Sequence, residues 1–240
     1  MTVPAIDPIG AAQAGVGLLK ACKDWWRHQR PICRLLEGVA DNRRLVRIFI
    51  RDFFVPPGSP LLAHGPGGVG YVPNVIELWP RVEGLAMASI FSVLGRVGKT
   101  ANIEVVEMSK DPGLWDSDII VLGAQAQKCF DFYTQMQHVA YRMDNAEIRD
   151  AATNVAITRE SGYGYGIILK TRNPHHASGI GFLIGGYGVL GTEAAAYYFR
   201  KHAADLGRLF GKKGFGIIVR ASVTAGIEST MRLKDFDRSF

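Results

Sequence analysis

The chain has 240 residues, of which 48% are hydrophobic and 21% charged, a composition that predicts an ordinary buried core. Its formal net charge of +6 is spread along the sequence without a long basic run or a nucleic-acid motif, so we expect no nucleic-acid partner. The 3 cysteines lack Cys-x-x-Cys spacing, which argues against a disulfide framework or a zinc site and favours a reducing, cytoplasmic compartment.

A separate helix is predicted for residues 6–28. Asp7 suits its N-cap and Pro8 its first helical position, while Trp25 and Trp26 stand among basic residues at its far end. One interpretation packs this helix on the domain or on a partner subunit, and we expect a homo-oligomer through it. The alternative is an interfacial membrane helix, because Trp beside Lys or Arg suits the headgroup level. We therefore divide the chain into an N-terminal helical extension, residues 1–42, and a domain at residues 43–240.

Strands and helices alternate through that domain. Asn74 with Glu77 matches a capping box, although Pro80 is an alternative start for the helix that runs to about residue 98. A further helix is predicted within residues 127–150, and residues 156–158 and 165–171 are predicted to pair. The other predicted elements are strands at residues 44–54, 102–108, 118–122, 180–184, 216–223 and 230–233 and a helix at residues 193–210. This order predicts an α/β fold with a Rossmann-like, mainly parallel sheet flanked by helices and an antiparallel portion near the C-terminus.

The segment GFLIGGYGVLGTEAAA, residues 181–196, is typical of an apolar strand, a glycine turn and the start of a helix. Such a junction directs backbone N–H groups and a helix N-terminus at one point, which suits an anionic ligand. A plain glycine-rich connection without a ligand is the alternative. The predicted ligand-binding residues of this turn are Gly185, Gly186, Tyr187, Gly188, Gly191 and Thr192. Glu193 is placed to accept a ribose hydroxyl or to act as an acid/base in glycosidic-bond cleavage.

The run Gly-Gly-Tyr-Gly-x-x-Gly-Thr-Glu after an apolar strand is similar to the Gly-Gly-x-Gly-Thr-x-x-Glu signature of the Rossmann-like LOG/SLOG superfamily. It also resembles the Gly-Thr-x-x-Glu of nucleoside 2-deoxyribosyltransferases. Val189 and Leu190 are inserted relative to the signature, and Glu193 directly follows Thr192. Members of these families bind or cleave nucleotides and nucleosides, and some sense nucleotide signals in bacterial defence systems. The resemblance therefore implies a nucleotide-like ligand.

Two further groups of residues are candidates for the same cleft. Gly123 and Gln125 follow the strand at residues 118–122 and are placed to contact a base or a phosphate, unless they form a plain strand-to-helix turn. Lys170 and Arg172 end another strand and suit a phosphate clamp, with an exposed polar turn as the alternative. No residue pattern indicates a metal site.

These observations favour a sensor or effector domain that binds a nucleotide or nucleoside-derived ligand and needs no other cofactor. A hydrolase that cleaves the N-glycosidic bond of NAD or of a nucleotide, with Glu193 as acid/base, is one alternative. A membrane or scaffold effector acting through the N-terminal helix is another.

Overall fold

A computed structural model describes residues 20–55, 76–78, 81–111, 113–123, 126–144 and 147–238. The predictions made for residues 1–19 and for Gln125 lie outside the described residues. In chain order the strands are β1 (Val46–Ile50), β2 (Phe53–Val55), β3 (Ile76–Leu78), β4 (Ile103–Glu107), β5 (Asp118–Leu122), β6 (Tyr141–Met143), β7 (Ile148–Asp150), β8 (Ala156–Ile157), β9 (Tyr163–Asn173), β10 (Gly179–Gly186), β11 (Gly214–Ser222) and β12 (Gly226–Arg238). The α-helices are α1 (Arg30–Leu36), α2 (Arg81–Arg96), α3 (Gln127–Gln135) and α4 (Gly188–Leu209).

Within the described residues, a 7-stranded sheet has the order β12-β11-β9-β10-β5-β1-β4. Strands β4, β1, β5 and β10 are parallel, whereas β9, β11 and β12 pair antiparallel to their neighbours. The predicted α/β class and the antiparallel portion near the C-terminus are confirmed. The sheet is mixed, however, because β9 reverses direction beside β10. Two small antiparallel sheets, β2-β3 and β6-β7-β8, lie outside it.

The sheet has a separate hydrophobic core on each face, as expected when successive side chains of a strand point in opposite directions. Phe182 belongs to the core under α1, α2 and α4, and its neighbour Leu183 belongs to the core under α3 and β6. Four residues from the predicted N-terminal extension are buried in the first of these cores: Ile32, Leu35, Leu36 and Val39. That part of the extension is therefore continuous with the α/β core.

Several predicted boundaries change. The strand predicted at residues 44–54 ends at Ile50, and Glu77 lies in β3 rather than in a capping box. Helix α2 is described from Arg81, and the alternative start at Pro80 lies outside the described residues. Residues 156–157 pair with β7 and not with β9, which instead pairs with β10 and β11. The region at residues 127–150 contains one described helix, α3, followed by the short strands β6 and β7.

In the part of the chain that the structure describes, no helix combines the length and the apolar character needed to cross a membrane.

Candidate ligand site at the carboxyl ends of the parallel strands

The strand order reverses around β1. The chain passes from β1 through α2 to β4 on one side of β1, and then returns to β5 on the other side. In open α/β sheets, ligands bind in the crevice outside the carboxyl ends of the strands at such a switch point. Arg51 follows β1 directly, Gly123 follows β5 and Gly186 ends β10, so these three residues lie at that edge of the sheet.

A crevice of about 120 Å³ is located at this edge. It is lined by Arg51, Val82, Glu83, Gly186, Gly188, Val189 and Thr192. The first turns of both α2 and α4 contribute to the wall, and α4 has no side-chain N-cap. The first N–H groups of a helix lack intrahelical acceptors, so the N-terminal end of a helix is positively polarised. Two such ends and the guanidinium group of Arg51 therefore border the same crevice.

Glu83 is the acidic side chain of this crevice, and it is only 3% exposed. Its Oε1 lies 3.4 Å from Nε of Arg51, which makes a long ion pair. Neither Oε2 of Glu83 nor Nε of Arg51 has a hydrogen-bond partner among the described residues, although both atoms are buried. A buried polar atom without a partner costs about 1–3 kcal/mol, so such atoms are rare outside strained or functional positions. Burial also raises the pKa of Glu83, and the charge of Arg51 opposes that shift only in part.

Most glycines of the predicted turn serve close packing. A Cβ on Gly191 would overlap the carbonyl oxygen of Tyr165, and one on Gly186 would overlap the backbone of Gly191. Gly166, on β9, is equally close to Gly191. These glycines let α4 lie directly on β9 and β10. The predicted glycine loop is thus replaced by strand and helix, because β10 runs to Gly186 and α4 begins at Gly188 rather than at residue 193.

Gly188 and Thr192 do line the crevice, and Gly188 has φ +61° with open space where a Cβ would point. The hydroxyl of Thr192 donates to the carbonyl oxygen of Gly186 at 3.3 Å, so its first role is to hold the junction. Gly185 is a strand residue paired with Ile167. Gly123, with φ +97°, would bring a Cβ to 3.2 Å from Oε1 of Glu83, and it therefore forms part of the surroundings of that carboxylate.

Tyr187 and Glu193 point to other surfaces. The hydroxyl of Tyr187 donates to the carbonyl oxygen of Asp144 at 2.8 Å, and the guanidinium of Arg159 lies 4.0 Å from its ring. Burial raises the pKa of Tyr187 to about 12. Glu193 instead lines a separate groove of about 330 Å³ between α2 and α4, together with Arg81 and Arg200.

Lys170 and Arg172 are not brought to the crevice. Because β9 is antiparallel to β10, Arg172 pairs with Ile180 at the start of β10, whereas the crevice lies at the end of β10. Nζ of Lys170 is 2.8 Å from Oε1 of Glu37 and donates to the carbonyl oxygen of Gly211 at 3.1 Å. Burial lowers the pKa of Lys170 to about 8. The predicted phosphate clamp is therefore a buried ion pair at the opposite end of the sheet.

Sequence reasoning missed Arg51 and Glu83. The pattern of residues 44–54 places Arg51 inside a longer strand, as one of its alternating polar residues. Glu83 carried a clearer signal, because an acidic residue three positions after Pro80 belongs in the first turn of a helix that starts there. Neither signal reveals that the two residues meet, since that depends on the order of the strands.

The described residues contain no cluster of three or more His, Cys, Asp or Glu side chains that could hold a metal ion. Comparison of the chain with protein-family models and with curated proteins found no match. The chemistry of the crevice is therefore argued from its own residues.

Proposed function

We propose that the crevice binds a nucleotide or nucleoside-derived ligand and that the protein acts through this ligand as a sensor or effector with a Rossmann-like domain. The observation that carries the proposal is the pair of buried atoms without a hydrogen bond, Nε of Arg51 and Oε2 of Glu83, at the switch point of the sheet. One atom is a donor and the other an acceptor. A hydroxyl group both donates and accepts, so a ribose hydroxyl inserted between the two side chains would satisfy both atoms.

The charges around the crevice support a phosphate next to that hydroxyl. The side chain of Arg51 is 43% exposed, which leaves its terminal nitrogens accessible from solvent. A guanidinium binds phosphate oxygens in a bidentate manner, and helix N-termini add N–H donors of the right polarity. The first turns of α2 and α4 supply two such termini. A sugar phosphate is thus the chemical unit that fits this set of groups, and nucleotides carry it.

Thermal unfolding against NAD, ADP-ribose, nucleoside mono- and triphosphates and cyclic dinucleotides tests the proposal. A ligand at about 100 times its dissociation constant stabilises the folded state by about 2.7 kcal/mol, which raises Tm by a few degrees in a chain of this size. We expect Arg51→Ala to abolish the shift. Arg43→Ala is the matched control, because Arg43 has a side chain 91% exposed and pairs with Asp41 outside the crevice. A panel without any shift, or an equal shift in Arg51→Ala, would overturn the proposal.

A second candidate function is hydrolysis of an N-glycosidic bond, and the burial of Glu83 favours it. A carboxylate whose pKa is raised by burial is a stronger base than one in water, which suits Glu83 to accept a proton from a water molecule. In this reaction Glu83 takes a proton from a water molecule whose oxygen forms a bond to the anomeric carbon. The bond from that carbon to the nucleobase nitrogen breaks, the base leaves with the electron pair, and the proton passes from Glu83 to the base.

Chromatographic detection of free nucleobase separates this activity from ligand binding alone. We expect Glu83→Gln to abolish base release while the ligand-induced Tm shift survives, because the amide oxygen of Gln still accepts a hydrogen bond but is no base. Glu193→Gln is the comparison variant, because Glu193 lines the neighbouring groove and is the residue that the sequence motif suggested. Loss of activity in Glu193→Gln alone would move the catalytic role to Glu193. No base release by the wild type from any ligand that shifts Tm would leave the binding function and remove the hydrolase.

A further inference from the structure

Residues 20–28 of the predicted N-terminal helix are helical, and Trp25–Gln29 form a π-helical turn. These residues carry a basic and aromatic surface, and none of them lines the crevice. All of residues 20–30 are exposed, and burial begins at Pro31 and Ile32 in α1. Trp25 and Trp26 are 44% and 57% exposed, although indole side chains are usually largely buried. We call residues 20–30, together with Arg34 and Arg208, the N-terminal surface.

This surface is fixed to the domain rather than loosely attached. The guanidinium of Arg208, near the end of α4, donates to the carbonyl oxygen of Arg27 at 2.7 Å. Gly207 of α4 is so close to Pro31 that a Cβ would overlap the carbonyl oxygen of Pro31. The backbone next to the exposed tryptophans is therefore attached to α4, as a preformed docking surface requires.

The charges of this surface have one predominant sign. Its basic side chains are Lys20, Lys23, Arg27, Arg30, Arg34 and Arg208. Lys212 and Lys213 add to them, because they directly follow Gly211, whose α-carbon lies beside the guanidinium of Arg34. Among the described residues, the acidic groups nearby are Asp24 within the surface, Asp205, which pairs with Arg208 and His202, and Glu37, which pairs with Lys170 and Arg172. Such an excess of positive charge complements an anionic surface and repels other basic ones.

We propose that the N-terminal surface docks on an anionic lipid bilayer. Indole rings with flanking Lys and Arg fit the headgroup level, where the ring contacts acyl chains and the cations contact lipid phosphates and carboxylates. Nucleic acid fits less well, because bases stack on open aromatic faces. Here the guanidinium of Arg30 covers one face of Trp26, with its Cζ 3.6 Å from the ring centroid. The ring of Trp25 is nearly perpendicular to that of Trp26, at an angle of 86°.

Co-sedimentation of the full chain with vesicles tests this proposal. We expect binding to equimolar phosphatidylcholine and phosphatidylserine, little binding to phosphatidylcholine alone, and release at high salt. The double variant Lys23→Glu, Arg27→Glu is expected to lose at least about tenfold in affinity, because each Lys or Arg near an anionic membrane contributes on the order of 1 kcal/mol. The matched control is Arg43→Glu, Arg142→Glu, which makes the same charge change at exposed positions outside this surface.

The double variant Trp25→Ala, Trp26→Ala separates the aromatic contribution from the charge, and its Tm should equal that of the wild type because both rings are exposed. We expect it to weaken vesicle binding. Equal binding of the wild type to both kinds of vesicle, or unchanged binding in both surface variants, would overturn the proposal. Retention of the wild type on single-stranded DNA, without binding to vesicles, would also overturn it. The same holds if light scattering shows a wild-type dimer that is a monomer in the tryptophan variant, and the wild type does not bind vesicles. None of these results bears on the crevice, whose ligand is tested separately.

Discussion

Two carboxylate–arginine pairs lie at opposite ends of the parallel strands, and they differ in how completely they are satisfied. At the amino end, Asp118 is 0% exposed and forms two hydrogen bonds of 2.8 Å with Arg44. It also accepts the backbone N–H of Ile180 at 2.9 Å. At the carboxyl end, Glu83 is nearly as buried but reaches Arg51 only at 3.4 Å, with Oε2 unpartnered among the described residues.

This comparison shows which observation separates a structural ion pair from a candidate site. Burial raises the pKa of both Asp118 and Glu83, so the direction of the shift does not distinguish them. The hydrogen bonds do. The amino-end pair ties together the ends of β1, β5 and β10, whereas the carboxyl-end pair leaves one donor and one acceptor without a hydrogen bond, on two residues that line a crevice.

Removal of the satisfied carboxylate should have the largest effect on stability. We expect Asp118→Ala to lower the free energy of unfolding by about 3–5 kcal/mol, because it leaves Arg44 without its partner and the N–H of Ile180 without an acceptor. Urea unfolding measures this. Asp116→Ala is the control: Asp116 is 71% exposed in its pair with Arg47, so its loss should cost less than about 1 kcal/mol. Equal effects of the two variants would contradict the distinction between the two ends.

A second prediction separates the glycines that build the carboxyl end from the one exposed at its crevice. We expect Gly191→Ala to lower the free energy of unfolding by about 1–3 kcal/mol or more, because its Cβ would overlap the carbonyl oxygen of Tyr165. The Cβ of Gly188→Ala would meet open space, so this variant should lose only the cost of a positive φ, about 1 kcal/mol in the free energy of unfolding. Denaturation midpoints of the two variants decide this. A larger loss for Gly188→Ala would mean that the close packing at Gly191 relaxes easily.

The sequence predicts regular elements well where the apolar pattern is continuous. The strand at residues 118–122 is found with its predicted bounds, because an unbroken apolar run lies between Asp118 and Gly123. The last helix was found too, but its start was placed too late. Gly188 and Gly191 predict a turn, but both lie in α4, where Gly191 allows close contact with β9 and β10.

The residues that line the candidate site depend on the order and packing of the strands. The end of β10 does border the crevice, but Arg51 and Glu83 come together through the packing of α2 beside the ends of β1 and β5, which no local pattern encodes. Lys170 and Arg172 show the converse. Their spacing suited a phosphate clamp, and the direction of β9 places them at the other end of the sheet beside Glu37.

The smallest expected effect tests the unsatisfied end directly. Glu83 has a folded-state pKa raised by burial above the ordinary 4.5, so between these two values the folded state holds more protons than the unfolded state. Stability due to this group therefore falls as pH rises through that window. Glu83→Gln removes this dependence. At neutral pH the free energy of unfolding of the variant should equal that of the wild type or exceed it by no more than about 1 kcal/mol. The variant gives up only a long ion pair with a partly exposed arginine. Well below pH 4.5 this advantage should disappear, since residue 83 is then uncharged in both the wild type and the variant.

Urea unfolding of the two proteins across this pH range measures the difference. A loss of several kcal/mol in Glu83→Gln at neutral pH would show that Glu83 stabilises the fold as Asp118 does, and the contrast between the two ends of the sheet would then fail.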